Sequence, residues 1–581
     1  MPLHYCFSRE RDGVMIKKRL ASMIEQAMEQ AKSDGLLTFD KLPPIDIEPP
    51  RNRAFGDYST NIAMLLRKEI GGDPRKIAET LASYLMGMGD SEIEKVEVAG
   101  GGFVNLTLNK KWLGSALQEV VSQGSSFGKQ NIGEGKRVLL EFVSANPTGP
   151  IHIAHARGGV FGDVLARLLE TLGYRVEREF YVNDATNSTQ MYEFAKSLQM
   201  RYRQLLGDTI DLNELGYRGE YMIELAEGVR AEYGDHLADG ILDEVVSRFR
   251  NIGQEVVFEN QKVDLADFGI AFDTWFSEQT LHDKGEVTET LESLRVGGYT
   301  YESEGAVWLR STAFGDDKDR VLVRSNSQPT YIAADAAYHR DKFERGFDSL
   351  IDIWGPDHHG YIARTKAAVG SLGYDPERLK ILIYQIVKLY RGNEEVRLSK
   401  RTGNVVTLRE VLDEVGRDVT RFFLLMRSHD TDLNFDIELA KRQSDENPVF
   451  YVQYAHARIC SVIKKAEEQG IKVPTGSDVD LSLLTHETEI ELIKRLIDFP
   501  GELRRVTELY EPHRLTTFAQ ELARLFHLFY DVCRVIGDDP ATTGARLVLI
   551  NATRIVLHNT LELLGVTAPD FMERREVTVG D

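Results

Sequence analysis

The chain has 581 residues, 42% of them hydrophobic, and a formal net charge of −21 at pH 7. A chain of this length requires several domains with packed cores. The strong negative balance excludes a protein that coats nucleic acid over its whole surface, although an acidic protein can still carry a local basic face.

Cysteine usage and apolar runs restrict the class of protein further. Cys6, Cys460 and Cys533 lie far apart and form no CxxC pair, which argues against a disulfide framework and against a zinc knuckle. No apolar run has the length that a bilayer span needs, and the first residues, MPLHYCFSRERDG, lack the apolar core of a signal peptide. These features predict a cytoplasmic protein without membrane contact.

The pattern of apolar residues divides the chain into five parts. Residues 1–115 alternate helical patterns with short strands, which predicts an α+β N-terminal domain. Residues 116–192 and 301–445 alternate apolar strands with amphipathic helices, which predicts two halves of an α/β domain with a parallel sheet. Residues 193–300 are charged and mainly helical and are interpreted as an insertion, whereas residues 446–581 predict an all-α C-terminal domain.

One βαβ unit in the first half carries two histidines at a helix start. The apolar run KRVLLEFVSA is followed by the turn NPTGP and by a helical pattern in which His152 and His155 come first. Ligands of open α/β sheets bind at the carboxyl ends of the strands, and anions bind at helix N-termini. The two imidazoles are therefore predicted to hold a polyphosphate and to stabilise the charge that builds on it during reaction.

Two other interpretations of this element stay open. A His-x-x-His pair is common by chance on a surface, and with a third ligand from Asp357, His358 or His359 it would suit zinc. The stretch contains neither GxGxxG nor GxxxxGK[ST]. We therefore do not expect a Rossmann dinucleotide loop or a Walker loop to hold the predicted polyphosphate.

A second stretch, EEVRLSKRTGNVVTLREVLDEVG, places Arg397, Lys400 and Arg401 in a short glycine-bearing loop before a helix. Alone, such a cluster is typical of a solvated face. Together, HIAH at 152–155 and this loop resemble the HIGH and KMSKS signatures of class I aminoacyl-tRNA synthetases.

Further stretches make the resemblance specific to the bacterial type of the arginyl-tRNA synthetase family, and they extend over the whole chain. They are AFGDYSTNIAMLL, GGGFVNLTL, EFVSANPTGPIHIAHARG, YVND, GAVWLRS, PTYIAADAAYH, IDIWGPDHHGYIAR and the tail from VQYAHARICSV to LLGVTAPDFM. The resemblance implies a Rossmann-like catalytic domain, an N-terminal domain that contacts the outer corner of the tRNA, and a helical tail that binds the anticodon region. It implies ATP with Mg²⁺, arginine and tRNA(Arg) as ligands, no structural metal, and a monomer.

The resemblance also implies roles for individual residues. His152, His155 and Lys400 are expected to be catalytic. ATP binding is expected from a larger set that includes them: Gly149, His152, His155, Asp357, His358, Arg397, Ser399, Lys400 and Arg401. Arginine binding is expected from Glu141, Asn146, Tyr331 and Asp335, because a planar guanidinium prefers carboxylates in fork geometry.

Each of these residues also has a plain structural interpretation. Asp335 would suit an ordinary helix charge, Tyr331 a core or interface position, and Asn146 a turn before Pro147. Basic candidates for tRNA contact are ordinary solvated charges otherwise: Arg51, Arg53, Lys68, Lys441, Arg442, Arg458, Lys464 and Lys465. Phe450, Tyr451 and Tyr454 could stack on anticodon bases or pack in the helical core.

Three positions depart from the family pattern. Ala154 stands where the first signature has glycine, and its methyl group narrows the space for adenine. Arg397 stands where the second signature has its first lysine, so the charge is kept on a broader group. VNDATNSTQM differs from the shorter, glycine-containing form usual after ND.

Two competing functions keep the same fold. One is an RNA-binding protein that has lost catalysis, against which the histidine pair and the basic loop argue. The other is an adenylating enzyme that ignores RNA, against which the complete front and tail domains argue.

Overall fold

The computed structural model describes residues 16–48, 50, 52, 55–88, 92–185, 188–396 and 405–573. Several residues singled out in the sequence lie outside these ranges: Cys6, Arg51, Arg53, Arg397, Ser399, Lys400 and Arg401. Thr186 and Asn187 of the divergent VNDATNSTQM stretch lie outside them as well.

The described strands form four sheets. In chain order they are β1 (Tyr58–Thr60), β2 (Ile93–Ala99), β3 (Phe103–Leu108), β4 (Arg137–Glu141), β5 (Arg175–Val182), β6 (Thr274–Ser277), β7 (Thr300–Ser303), β8 (Ala306–Leu309), β9 (Arg320–Val323), β10 (Ser349–Trp354), β11 (Leu379–Ile383), β12 (Val387–Arg391), β13 (Glu394–Val396) and β14 (Leu433–Asp436).

The described α-helices account for most of the remaining chain. They are α1 (Ile16–Ser33), α2 (Ile62–Ile70), α3 (Pro74–Gly87), α4 (Lys110–Gln123), α5 (Ile153–Thr171), α6 (Thr189–Leu205), α7 (Tyr221–Tyr233), α8 (Leu242–Asp267), α9 (Glu278–Asp283), α10 (Glu286–Val296), α11 (Tyr331–Glu344), α12 (Ile362–Ser371), α13 (Leu408–Val415), α14 (Arg417–Leu425), α15 (Ile437–Lys441), α16 (Pro448–Glu468), α17 (Glu487–Ile497), α18 (Phe499–Glu508), α19 (His513–Val532) and α20 (Pro540–Leu564).

The central sheet is parallel, with strand order β11-β10-β4-β5-β6. The first strand, β4, is almost wholly buried, as its continuous apolar run predicts. The chain builds outward from β4 to β5 and β6, and then returns to add β10 and β11 on the other side. A topological switch point therefore lies between β4 and β10, where open α/β sheets form their binding crevice.

The insertion predicted at 193–300 is only partly an insertion. Helices α6, α7 and α8 do form a separate core, which includes Phe194, Tyr202 and Phe249. Strand β6, however, completes the central sheet beside β5. Its Trp275 packs against Phe180 of β5 at a ring-centroid distance of 4.8 Å, which anchors this short strand in the sheet.

Three smaller sheets complete the strands. The N-terminal sheet β1-β3-β2 and the sheet β7-β8-β9 are antiparallel. In the third, β12 pairs antiparallel with β13 and parallel with β14. Because β13 ends at Val396, this last sheet carries the chain to the predicted basic loop.

The C-terminal part from α16 to α20 is helical, as predicted. Helix α20 (Pro540–Leu564) is long and apolar enough to cross a membrane by length and composition, which differs from the prediction that no run has this length. Of its most apolar window, 67% is buried inside the protein, where α20 packs against α4, α16, α17 and α19. Its apolar surface thus belongs to the core of a helical bundle.

Two sets of polar contacts join the terminal domains to the rest. Lys494 Nζ of α17 lies 2.6 Å from Asp57 Oδ1 of the N-terminal domain. Arg421 of α14 is fully buried, contacts Asp163 of α5, and donates from Nε to the Leu564 carbonyl at 3.0 Å and from Nη1 to the Phe268 carbonyl at 3.1 Å. One guanidinium therefore joins the end of α20, the end of α8 and the middle of α5.

Candidate active site

The predicted histidine pair lies at the carboxyl edge of the central sheet. His152 is the N-cap of α5, and His155 lies in its first turn. The two rings stack with centroids 3.7 Å apart and planes 25° apart. Helix α5 follows β4, so both imidazoles lie at the switch point that strand order defines.

Burial keeps both imidazoles neutral. It lowers the pKa of His152, and burial together with the neighbouring His152 lowers the pKa of His155 well below its ordinary value. The Nδ1 atom of His155 is buried and has no hydrogen-bond partner among the described residues. A neutral imidazole can donate one hydrogen bond to a phosphate oxygen, and the amides of the helix start supply further donors.

The chain that follows the predicted basic loop returns beside this pair. Thr407 forms an antiparallel bridge with His152. Ile153 donates its backbone N–H to Val406 O at 3.1 Å, and Leu408 donates its N–H to Ile151 O at 2.7 Å. The exit of the 397–404 segment is therefore hydrogen-bonded to the residues that flank His152.

Two side chains of the helical insertion hold the NPTGP turn. Tyr221 donates its hydroxyl to the Thr148 carbonyl at 2.8 Å. Gln261 is buried and donates to the carbonyls of Asn146 and Gly149 at 2.9 and 2.7 Å. Sequence reasoning missed both residues, because nothing in the charged helices of the insertion marks a contact with a turn more than 70 residues earlier.

The backbone at the end of β4 is strained. Val143 and Ser144 have φ values of 70° and 42°, and a β-branched residue in this region is a genuine outlier. The Ser144 hydroxyl donates to Glu141 Oε1 at 2.8 Å and accepts from the Tyr181 N–H at 3.2 Å. These bonds hold the strained turn at the edge of the crevice.

Glu141 does not present a free carboxylate, contrary to the expected fork for a guanidinium. Its Oε2 accepts a hydrogen bond from Lys342 Nζ at 2.5 Å, and the same Nζ lies 2.8 Å from Asp352 Oδ1. Lys342 is fully buried, and His339 Nε2 bonds the other oxygen of Asp352 at 2.9 Å. The cation pairs with Glu141 because β4 and β10 are adjacent, which brings Glu141 beside Asp352.

The unpaired negative charge lies instead at Asp335, Glu278 and Asp184. Burial raises the pKa of Asp335, and burial together with the Asp335 and Asp184 carboxylates raises the pKa of Glu278 to about 7. Within the described residues, neither Asp335 nor Glu278 forms an ion pair. Asp184 accepts hydrogen bonds from the Ser277 hydroxyl at 2.7 Å and from the Gln279 N–H at 3.0 Å. One buried and one half-buried carboxylate, neither of them in an ion pair among the described residues, suit a guanidinium ligand.

Sequence reasoning missed Glu278. The signal was available: Glu278 directly follows β6, and side chains at the carboxyl ends of parallel strands meet at one edge of the sheet. The interpretation of 193–300 as a helical insertion hides this strand end.

The other predicted ligand residues lie around the crevice with mixed exposure. Asn146 is exposed and donates to Gln190 Oε1 at 2.9 Å. Tyr331 begins α11 and is 60% exposed, whereas Asp335, one turn later, is half-buried. Asp357 and His358 are exposed in the turn after β10, with His358 Nε2 3.4 Å from Asp357 Oδ2.

Close packing fixes α5 against the sheet edge. A Cβ on Gly158 would lie 2.5 Å from the Tyr384 ring, so the helix approaches this tyrosine as closely as glycine allows. Arg157 is buried and donates to the Gln385 and Ser428 carbonyls, each at 2.8 Å. These contacts set the position of the imidazoles relative to β12.

The zinc alternative for this site has no support in the geometry. The two imidazoles stack instead of converging on a point. Across the described ranges, the group of three side chains close enough to share a metal ion lies elsewhere, at His456, Cys460 and Asp570.

The candidate tRNA contacts fall into two groups. Lys68, Lys464 and Lys465 are exposed, whereas Lys441 and Arg442 are engaged in ion pairs with Glu414 and Glu446 respectively. The aromatic candidates lie on α16. Phe450 is 8% exposed and belongs to the core, and Arg458 stacks over the half-buried Tyr454 and over Tyr530, with its guanidinium carbon 5.7 and 4.5 Å from the ring centroids.

Comparison with known proteins covers all three parts of the chain. Residues 116–436 match the family of tRNA synthetases class I (R), catalytic domain. Residues 16–108 match the arginyl tRNA synthetase N terminal domain, and residues 452–572 match the DALR anticodon binding domain. The chain is 47% identical to the arginine–tRNA ligase of Heliobacterium modesticaldum, across 96% of this chain and 99% of the relative.

The chain belongs to the arginine–tRNA ligases, a family of class I aminoacyl-tRNA synthetases. It is similarly related to the arginine–tRNA ligase of Syntrophotalea carbinolica, at 48% identity over 96% of this chain and 100% of the relative. The solved arginyl-tRNA synthetase of Thermus thermophilus has a TM-score of 0.72 at 22% identity, with 96% of this chain and 100% of that chain covered. This likeness concerns the fold, and it extends over all three domains of the ligase.

Proposed function

We propose that this arginine–tRNA ligase activates arginine with ATP in the crevice between β4 and β10 and then transfers arginine to the 3′ end of tRNA(Arg). In the first step an arginine carboxylate oxygen forms a bond to the α-phosphorus of ATP. The bond between this phosphorus and the bridging oxygen breaks, and pyrophosphate leaves. In the second step a ribose hydroxyl of the tRNA attacks the arginyl carbonyl carbon, and AMP leaves.

The observation that carries this proposal is the stacked pair of neutral imidazoles at the start of α5, beside the exit of the 397–404 segment. No side chain need act as a covalent nucleophile in this reaction. Catalysis then consists of positioning and of stabilising the charge on the α-phosphate and on the leaving pyrophosphate. We assign the first charge to His152 and His155 and the second to Lys400, with Arg397 and Arg401.

The remaining ATP contacts are proposed from the same crevice. Gly149 lies in the turn that Gln261 holds, and Asp357 and His358 follow the neighbouring strand β10. Ser399 belongs to the basic loop. ATP enters as its Mg²⁺ complex, because the ion neutralises the phosphate oxygens of the substrate.

For arginine, we propose that Asp335 and Glu278 hold the guanidinium and that Asn146 holds the α-amino group. Glu141 contributes through its Lys342-paired carboxylate, and Tyr331 covers the entrance. The grouping of these carboxylates in the crevice supports selection of a cationic side chain.

For tRNA(Arg), we propose that the DALR domain binds the anticodon region, with Tyr454 and Arg458 on its surface, and that the N-terminal domain contacts the outer corner. Only one face has to attract RNA, so the net charge of −21 is compatible with this function. We further propose a monomer that works in the cytoplasm.

Pyrophosphate exchange with each amino acid, with and without tRNA(Arg), tests this function. Arginine-specific exchange that requires tRNA is the expected result. Exchange that is indifferent to RNA would support the adenylating alternative, and no exchange at all would support an RNA-binding protein that has lost catalysis.

A further inference from the structure

A cluster of three side chains joins α16 to the segment that follows α20. His456 and Cys460 are one helical turn apart on α16, and Asp570 lies six residues beyond the end of α20. One ligand atom from each lies within 4.8 Å of the other two. The candidate active site uses none of these residues.

Two of the three separations are close to the edges of a tetrahedral metal site. Cys460 Sγ lies 3.7 Å from His456 Nδ1 and 3.5 Å from Asp570 Oδ1. Zinc binds thiolate sulfur at about 2.3 Å and imidazole nitrogen or carboxylate oxygen at about 2.0–2.2 Å, so the edges of a tetrahedral site measure about 3.5–3.6 Å. The ligand atoms of His456 and Asp570 lie within 4.8 Å of each other, so these two side chains would close on a bound ion.

A fourth ligand is also at hand. The Pro569 carbonyl oxygen lies 3.0 Å from His456 Nδ1. In the metal-free protein the Nδ1–H donates to this oxygen. When Nδ1 binds an ion instead, the proton moves to Nε2, which is buried and has no partner among the described residues. The Pro569 carbonyl oxygen is then free to become the fourth ligand.

The Asp570 carboxylate brings negative charge to the cluster and accepts a hydrogen bond from the Cys460 thiol at 3.5 Å. The neighbouring Arg554 is held by Asn551 Oδ1 at 3.2 and 3.1 Å. A bound metal ion would displace the thiol proton and take up the negative charge of sulfur and carboxylate.

We propose that His456, Cys460 and Asp570 form a zinc site that fastens the C-terminal segment to α16. A thiolate, an imidazole and a carboxylate together select zinc over the hard cations Mg²⁺ and Ca²⁺. In the sequence of α16, Arg458 lies between His456 and Cys460, two residues from each, and it is proposed above as a tRNA contact. Metal binding would therefore hold the C-terminal segment in place on the helix that faces the anticodon region.

The test uses the full chain with Co²⁺ as the probe, because tetrahedral thiolate coordination gives Co²⁺ a sulfur-to-metal charge-transfer band and intense d–d bands. A Cys6→Ser, Cys533→Ser background leaves Cys460 as the sole thiol. We expect one Co²⁺ per chain with both sets of bands, displacement by Zn²⁺, and a higher unfolding temperature with Zn²⁺ than after chelation.

Two variants decide the outcome. Cys460→Ser should abolish the charge-transfer band, and Asp570→Asn, at an exposed position, should weaken Co²⁺ binding at least tenfold. Cys533→Ser alone is the matched control, since this buried thiol contacts Thr488 far from the cluster. Absence of the charge-transfer band in the sole-thiol protein, or binding of equal strength after Asp570→Asn, would overturn the proposal.

Discussion

Glu278 makes arginine binding depend on pH in a calculable way. Its pKa is about 7 in the folded protein, so roughly one tenth of the molecules carry the ionised form at pH 6 and roughly nine tenths at pH 8. A guanidinium binds the ionised form, and its affinity should therefore rise with pH. The KM for arginine is expected to fall roughly tenfold between pH 6 and pH 8.

Replacing Glu278 by glutamine removes the charge and keeps the shape. A hydrogen bond to a charged group contributes about 1.5–3 kcal/mol, which corresponds to a roughly ten- to 150-fold increase in KM at pH 8. Glu278→Gln should also lose most of the pH dependence. The imidazoles do not interfere with this measurement, because burial lowers the pKa of both His152 and His155.

The assay is arginine-dependent pyrophosphate exchange with tRNA(Arg) present and ATP at saturation, run at half-unit steps of pH. Glu292→Gln serves as the control, since Glu292 is 55% exposed and pairs with Arg295 on the surface of α10. An arginine KM that does not change with pH in the unmodified enzyme, or a Glu278→Gln variant with an unaltered pH profile, would refute the assignment of Glu278 to the guanidinium.

Three further predictions concern the same crevice. Lys342→Met leaves two buried carboxylates without their cation and should destabilise the protein by about 3–5 kcal/mol, measured as a lower urea midpoint. His152→Ala and Lys400→Ala should each slow adenylate formation by about 10²–10³-fold in single-turnover assays, with tRNA affinity nearly unchanged by filter binding. Gly158→Ala should lower the free energy of unfolding by about 1–3 kcal/mol in thermal unfolding, because its Cβ would lie 2.5 Å from the Tyr384 ring. Gly228→Ala is the matched control: no atom lies within 4 Å of its Cβ position, and alanine there should raise the free energy of unfolding by up to about 1 kcal/mol.

Each of these predictions has a result that contradicts it. Unchanged stability of Lys342→Met would mean that the two carboxylates become neutral at little cost. Equal loss of tRNA binding and adenylate formation in His152→Ala would indicate a structural role for this residue. Equal effects of alanine at Gly158 and Gly228 would show that α5 can shift away from Tyr384.

Local patterns were enough to predict the crevice. The run KRVLLEFVSA, the turn NPTGP and the helical spacing after it placed His152 and His155 at a helix start, and the structure has them there. These features depend on residues close in sequence, where strand and helix periodicity decide the conformation. The C-terminal helices were predicted for the same reason.

Contacts between distant residues could not be predicted. Lys342 pairs with Glu141 across 201 residues of sequence, and only the order β10-β4 brings the two side chains together. Strand β6 has four residues that are all half-buried, so it shows no alternation from which a strand could be recognised. Its place in the sheet depends on parallel pairing with β5, almost 100 residues earlier, and the position of Glu278 depends on the same long-range contact.

The buried guanidinium of Arg421 has a mechanical consequence. It ties the last turn of the C-terminal helical bundle to α5, the helix that begins beside His152. Because the same side chain also holds the end of α8, its loss would separate three helices at one point. The placement of the C-terminal bundle against α5 thus depends in part on a single side chain.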